Sequence, residues 1–197
     1  MKKNRTVDLT YAALMTALAI ILSYFPEVPL AFFAPWLKLD FSFTPLMLLG
    51  LSVGPAMLFI ALLITNVVHI LGGTTGGVGE LANMIVGLSL LMPPAIMYKR
   101  NKTRRSALIG MGIGVVLMAL AGVLSNIYIL LPAFFGAAFE ENMQGMGMNL
   151  SGYLTAAIVP FNLVKGVLNS LIAYFLYKRL SKILKEAEED IAVTADT

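Results

Sequence analysis

The chain has 197 residues and a net charge of +3, and 58% of its residues are hydrophobic against 13% charged. Soluble domains average roughly 45–50% apolar and about 25% charged residues, so this composition, with a mean hydropathy of +0.84, excludes a soluble protein and predicts an integral membrane protein. Cysteine is absent, which excludes disulfides, thiol nucleophiles and thiolate metal sites.

Apolar segments follow one another along the chain, at about 8–25, 43–52, 54–71, 80–98, 107–131 and 153–177. A spanning helix needs about 20 residues, so the second segment either extends into the preceding loop or spans incompletely. We predict an all-α membrane protein, a six-transmembrane-helix bundle. The membrane domain is expected over 1–184 and a polar C-terminal tail over 185–197.

Basic residues mark one side of the membrane. Three clusters, at residues 2–5, 98–106 and 178–185, hold 12 of the 14 lysines and arginines, and the exceptions are Lys38 and Lys165. With six crossings the three clusters lie on one side, and the positive-inside rule then makes both termini cytoplasmic.

The first segment carries small residues at helical spacing, including Ala13 and Ala17. Small-xxx-small patterns let a second helix approach closely. That partner is either a helix of the same bundle or a second membrane protein. The loop that follows, about 26–42, is rich in proline and aromatic residues; the aromatic residues either anchor the membrane interface or form a wall for a flat ligand.

A glycine-rich stretch, 72–79, precedes the fourth segment. It lacks the lysine of a phosphate-binding loop, so the chain does not bind ATP by that motif. Glu80 and Asn83 share one helical face beyond it, although Glu80 could merely favour a helix N-terminus. His69, the single histidine, cannot build a metal site with other histidines and is interpreted as structural or interfacial.

The fifth segment contains Gly110 and Gly114, a GxxxG pattern that predicts helix packing. Asn126 lies near its outer end. The loop at about 132–151 contains Glu140 and Glu141 among several glycines and methionines, and it could gate access.

The sixth segment has Asn162, Lys165 and Asn169 on one helical face. A charged residue at the bilayer centre costs about 2.5–3.5 kcal/mol on insertion scales, so something must offset it. Either Lys165 pairs with Glu80 or Asp40 and only holds the bundle together, or the face binds a ligand. The several neutral amides suit a hydroxyl-rich or amide-bearing solute, and without a nucleophile–base pair or metal cluster an enzyme is not expected.

Five motifs occur together in a known order. They are LKLDFS at 37–42 with Pro45, GVGELAN at 77–83, Ser125-Asn126, Leu130-Leu131-Pro132, and PFNLVKG at 160–166. In this order and spacing the chain, up to about residue 184, resembles the riboflavin-specific substrate-binding subunit (S component) of energy-coupling factor (ECF) transporters.

The resemblance implies a six-helix, multi-pass protein of the bacterial plasma membrane that binds riboflavin near the outer face. It implies a transmembrane coupling subunit and two ATPase subunits as partners, riboflavin as transported ligand rather than cofactor, and no nucleic acid. Ala13 and Ala17 would meet the coupling subunit. Asn126, Asn162 and Lys165 would hydrogen-bond the flavin, its ribityl chain included. The 37–45 loop, with Leu39, Asp40 and Phe41, and the 79–83 stretch, with Gly79, Glu80 and Asn83, would wall its ring.

Two positions depart from the family pattern. The family often has an acid after DFS, where this chain has Phe43, and a lysine on helix three, where it has Thr65. An S component for another vitamin is the first alternative, and Lys165 would suit the carboxylate of pantothenate. The second alternative is a membrane scaffold protein whose polar residues are only structural.

Overall fold

The computed structural model describes residues 5–25, 28–29, 37–136, 141, 144 and 149–195, with side chains up to Arg179. Its helices are α1 (Arg5–Tyr24), α2 (Phe43–Ser52), α3 (Pro55–Gly72), α4 (Val78–Arg100), α5 (Arg104–Ser125), α6 (Leu131–Phe135), α7 (Leu150–Tyr153) and α8 (Val159–Ala195). Single π-helical turns, Asn126–Leu130 and Leu154–Ile158, join α5 to α6 and α7 to α8. Two-residue strands, β1 (Val28–Pro29) and β2 (Lys38–Leu39), pair antiparallel.

Among the described residues, five helical stretches are long and apolar enough to cross a membrane: Arg5–Tyr24, Pro55–Gly72, Val78–Arg100, Arg104–Phe135 and Leu150–Arg179. With α2 they form the six-helix bundle that the sequence predicts. The cytoplasmic placement of the termini stays a prediction.

The short second segment is an interior helix. Every residue of α2 from Phe43 to Leu51 is buried, and the helix packs against α1, α3, α4 and α8. A helix that is apolar all round is one that neighbours enclose on every side. The ten-residue length of α2 therefore reflects its place inside the bundle.

Helices α4 and α5 approach most closely where α5 has glycines. A Cβ on Gly114 would lie 2.2 Å from the Leu90 carbonyl oxygen, and one on Gly110 would lie 2.5 Å from the Pro94 Cα. No other residue type leaves room for that approach, so the predicted GxxxG packing is confirmed. A Cβ on Gly112, which lies between them, would meet no described atom within 4 Å outside its own stretch of helix.

The small residues of α1 divide between two surfaces. Ala12 and Ala19 are buried in the core, whereas Ala13 and Ala17 are exposed. The bundle itself therefore does not use Ala13 and Ala17 for its packing, and their predicted role in docking stays a prediction.

Parts of the two long predicted loops lie outside the described residues. In the 26–42 loop these are 26–27 and 30–36, and in the 132–151 loop they are 137–140, 142–143 and 145–148. The backbone of α8 continues as helix to Ala195, beyond the predicted domain boundary at 184.

Candidate ligand-binding site

A buried ion pair joins the segment after β2 to α8. The Lys165 Nζ lies 2.7 Å from Asp40 Oδ2, with the two side chains only 5% and 9% exposed. The same ammonium donates to the carbonyl oxygen of Lys38 at 3.2 Å. Ser42 donates from its backbone N–H, at 2.9 Å, and from its hydroxyl to Asp40 Oδ1. The sequence left Glu80 or Asp40 as the partner of Lys165 in a purely structural role. The structure shows that the partner is Asp40.

Asn169 strengthens this connection one turn further along α8. Its amide donates to the carbonyl oxygens of Asp40, at 3.1 Å, and Lys165, at 3.0 Å. Its oxygen accepts from the Thr44 hydroxyl at 2.9 Å. Asn169 is fully buried, so this third polar residue of the α8 face is a structural anchor for the 37–44 segment.

Two cavities meet beside Lys165. The polar cavity, about 490 Å³, is walled mainly by side chains of α3, α4 and the loop between them; among its lining residues are Lys38, Asn66, His69, Thr75 and Glu80. The mixed cavity, about 430 Å³, lies between α4, α5 and α8; among its lining residues are Leu37, Val86, Met118, Asn126, Phe161 and Asn162. Gly79, Asn83 and Lys165 line both. Both volumes include space that is open to solvent.

The glycine-rich loop closes around the Glu80 carboxylate in the polar cavity. Thr75 Oγ1 donates to Glu80 Oε2 at 2.6 Å, and His69 Nδ1 lies 3.0 Å from Glu80 Oε1. The His69 ring stacks on Tyr24 with centroids 4.8 Å apart. A Cβ on Gly73 would lie 2.3 Å from Glu80 Oε1, so this close approach requires glycine there. Glu80 is thus held in position by specific partners, beyond what a helix N-terminus alone would favour.

An amide pair orients Asn83 between the cavities. The Asn83 Nδ2 donates to Asn66 Oδ1 at 2.9 Å, and the Asn66 Nδ2 donates to the Leu62 carbonyl oxygen at 2.8 Å. Asn83 lines both cavities, and the bond to Asn66 fixes the orientation of its amide.

The amides of the mixed cavity are fixed by bonds to α5, to α7 and to the π-helical turn before α8. Asn126 Nδ2 donates to the Gly122 carbonyl oxygen at 2.8 Å, and Asn126 Oδ1 accepts from the Tyr153 hydroxyl at 2.8 Å. Asn162 Nδ2 donates to the Ile158 carbonyl oxygen at 2.9 Å. A Cβ on Gly122 would lie 2.3 Å from Asn162 Nδ2, so glycine there lets Asn162 pack directly on α5.

The structure brings most of the predicted site residues together. Lining one cavity or both are Asp40, Gly79, Glu80, Asn83, Asn126, Asn162 and Lys165. Leu39 lines neither cavity, and Phe41 lines a separate apolar cleft with Leu18 and Leu48.

Sequence reasoning missed the roles of Thr75, Tyr153 and Ser125. Thr75 and Tyr153 fix Glu80 and Asn126, and Ser125 lines the mixed cavity. Ser125 directly precedes Asn126 in one of the five sequence motifs, and that position could have indicated its place in the cavity. Nothing in the local pattern around Thr75 or Tyr153 distinguishes them from ordinary loop and interface residues.

A family model described as "ECF transporter, substrate-specific component" matches residues 7–177. The "Riboflavin transporter RibU" of Staphylococcus aureus (strain TCH60) is 31% identical over 173 residues, which cover 88% of this chain and 89% of the relative. The "Riboflavin transporter FmnP" of Bacillus subtilis (strain 168) is 24% identical over 190 residues, covering 94% and 96%. A solved structure described as "Structure and mechanism of the S component of a bacterial ECF transporter" superposes with a TM-score of 0.76 at 29% identity, over 92% of this chain and 99% of the other.

Proposed function

Because the chain belongs to the family of ECF transporter substrate-specific components, we propose that it is the riboflavin-binding S component of such a transporter. It is a multi-pass protein of the bacterial plasma membrane. Its own task is recognition of the vitamin, and the ATP hydrolysis that drives import takes place on other chains.

The observation that carries this proposal is the match between a two-part cavity and a two-part ligand. Riboflavin joins a flat ring, apolar at one end and amide-like at the other, to a hydroxyl-rich ribityl chain. The mixed cavity combines apolar walls such as Val86, Met118 and Phe161 with the amides of Asn126 and Asn162, which suits the ring. The polar cavity supplies hydroxyl, amide and carboxylate groups, which suit the ribityl chain.

Each polar residue has a role in this assignment. Asn162 turns its amide nitrogen toward Ile158, so its oxygen can accept from a ring N–H. Asn83, at the junction, accepts from the first part of the ribityl chain, and Glu80 accepts from its hydroxyls. Lys165 uses two of its N–H donors on Asp40 and Lys38, and the third is assigned to a ring oxygen.

The 37–42 segment acts through Lys165. Asp40 holds the Lys165 ammonium at a distance of 2.7 Å. We propose that Leu39 and Phe41 position the backbone of this segment and do not contact the ring. Gly79 lines both cavities, and a Cβ there would lie 2.7 Å from Thr75 Oγ1 and displace that side chain. Recognition and docking are assigned to residues 1–184, with 185–197 as the tail.

Pantothenate fits this site less well than riboflavin. Its carboxylate would have to compete with Asp40 for Lys165, and the nearby Glu80 carboxylate would repel it. A purely structural scaffold has no need for polar side chains directed into a cavity, since buried polar groups are normally satisfied within the protein.

The partners follow from the family. An ECF transporter context implies a transmembrane coupling subunit and two ATPase subunits, and we propose that the coupling subunit contacts α1 at Ala13 and Ala17. Both alanines are exposed on the surface of α1, where small side chains permit close helix approach.

The direct test is titration of the detergent-purified protein with riboflavin, followed by quenching of flavin fluorescence, with pantothenate as competitor. We expect saturable quenching that pantothenate does not reverse. Asn162→Ala should weaken binding about tenfold, because one ring hydrogen bond is lost. Asn101→Ala, in the exposed α4–α5 connection, is the matched control. Absence of saturable quenching by the wild-type protein would refute the riboflavin assignment.

A further inference from the structure

Ser125, the last residue of α5, carries a buried hydroxyl that the bundle does not use. The residue is 3% exposed, and its Oγ has no hydrogen-bond partner among the described residues. It lines the mixed cavity. A buried hydroxyl without a partner is unfavourable, so its retention beside a cavity calls for an explanation.

Several other helical hydroxyls in the described part of the chain are satisfied locally. Thr65 donates to the carbonyl oxygen of Ala61 at 2.8 Å, and Ser89 donates to that of Ile85 at 2.9 Å. This local bond is the usual one for such residues inside helices. For Ser125 the carbonyl three residues earlier belongs to Gly122, and that oxygen already accepts from the backbone and side chain of Asn126.

The position of Ser125 on α5 places it among the amides of the mixed cavity. Met118, Gly122, Ser125 and Asn126 follow helical spacing and line the cavity together. Asn126 is held by Tyr153 and by the Gly122 carbonyl oxygen, and Asn162 packs on Gly122. The hydroxyl is therefore flanked by groups that are rigidly placed.

We infer that Ser125 is a ligand-binding residue whose hydroxyl donates a hydrogen bond to the polar edge of the bound ring, at a carbonyl oxygen or a ring nitrogen. The inference rests on the proposed function and extends it to a specificity-determining contact. Asn162 supplies an acceptor to this edge, and a hydroxyl donor beside it completes a donor–acceptor pattern. A purely apolar ring would leave both protein groups without a hydrogen bond.

The test compares Ser125→Ala with Ser170→Ala. Ser170, on α8, also has a buried hydroxyl without a partner in the described residues, but it lines neither cavity. The pair therefore controls for the loss of a buried hydroxyl as such. Both variants are titrated with riboflavin and with lumiflavin, which keeps the isoalloxazine ring and lacks the ribityl chain. Thr75→Ala, in the polar cavity, serves as the comparison for ribityl contacts.

We expect Ser125→Ala to weaken riboflavin and lumiflavin binding by the same factor, about tenfold, while Ser170→Ala leaves both unchanged. Thr75→Ala should weaken riboflavin only. Equal affinities for Ser125→Ala and Ser170→Ala would overturn the inference, and so would a Ser125→Ala effect confined to riboflavin. Failure of the wild-type protein to bind riboflavin would instead refute the proposed function, so the two failures are distinguishable.

Discussion

Removing one partner of the Lys165–Asp40 pair should destabilise the bundle strongly. Lys165→Met leaves the Asp40 carboxylate buried, still bonded to Ser42 but without its counter-charge. Asp40→Asn leaves the ammonium buried without its counter-charge, with the Lys38 carbonyl oxygen still accepting from it. An uncompensated buried charge is far more costly than the absence of the pair.

The geometry sets the expected magnitude. The pair is short, at 2.7 Å, and almost fully buried, so each single substitution should lower the free energy of unfolding by about 3–5 kcal/mol. For a chain of this size that corresponds to a fall in Tm of about 6–20 °C. The double variant Lys165→Met/Asp40→Asn removes both charges, and Asn can still accept from Ser42, so it should be no less stable than either single variant.

The assay is thermal unfolding in detergent, combined with riboflavin titration of each variant. Lys102→Met, at an exposed lysine between α4 and α5, is the matched control and should leave Tm and affinity unchanged. The double variant should recover stability without recovering affinity, because we propose that the Lys165 ammonium also contacts the ligand.

Two results would refute this reasoning. A Tm of Lys165→Met equal to that of Lys102→Met would mean that the ion pair contributes nothing to stability. Full riboflavin affinity in the double variant would mean that Lys165 only fastens the 37–42 segment and does not contact the vitamin.

Three further predictions follow from close packing. Gly114→Ala should lower Tm by several degrees in the same unfolding assay, because its Cβ would meet the Leu90 carbonyl oxygen at 2.2 Å. Gly112→Ala is the control and should leave Tm unchanged, because its Cβ would have nothing within 4 Å. Equal Tm values for the two variants would contradict the α4–α5 packing. Gly122→Ala should weaken riboflavin binding at least tenfold in the fluorescence titration by displacing the Asn162 amide, and unchanged affinity would remove Asn162 from the site. Ala13→Trp should abolish co-purification with the coupling subunit while riboflavin affinity is kept; retained co-purification would show that α1 docks elsewhere.

The bundle was predictable because its signals are local. Apolar length identifies spanning helices, and the GxxxG of α5 identifies a packing face. The short α2 was less clear, since a ten-residue apolar run does not reveal whether neighbours bury it on all sides. Its enclosure by α1, α3, α4 and α8 is a tertiary property that periodicity does not encode.

The clustering of the candidate site residues was predictable from the sequence, but their hydrogen-bond partners were not. Helical spacing placed Asn162, Lys165 and Asn169 on one face, yet the three side chains do different things. Asn169 is bonded to the backbone and to Thr44, whereas Asn162 and Lys165 line a cavity. The contacts that distinguish the roles of Lys165 and Asn169 join positions more than 100 residues apart, as between Lys165 and Asp40.

The buried lysine therefore has a different explanation from the one its cost first suggests. Its charge is offset by Asp40 and its donors are mostly used within the protein, so the ligand need not offset a full buried charge. A neutral, hydrogen-bonding ring is then a better partner than a carboxylate, because it can take the remaining donor without separating the ion pair. This argument, rather than the presence of a lysine, favours riboflavin over an acidic vitamin, and the amides around the ring edge are expected to carry most of the selectivity.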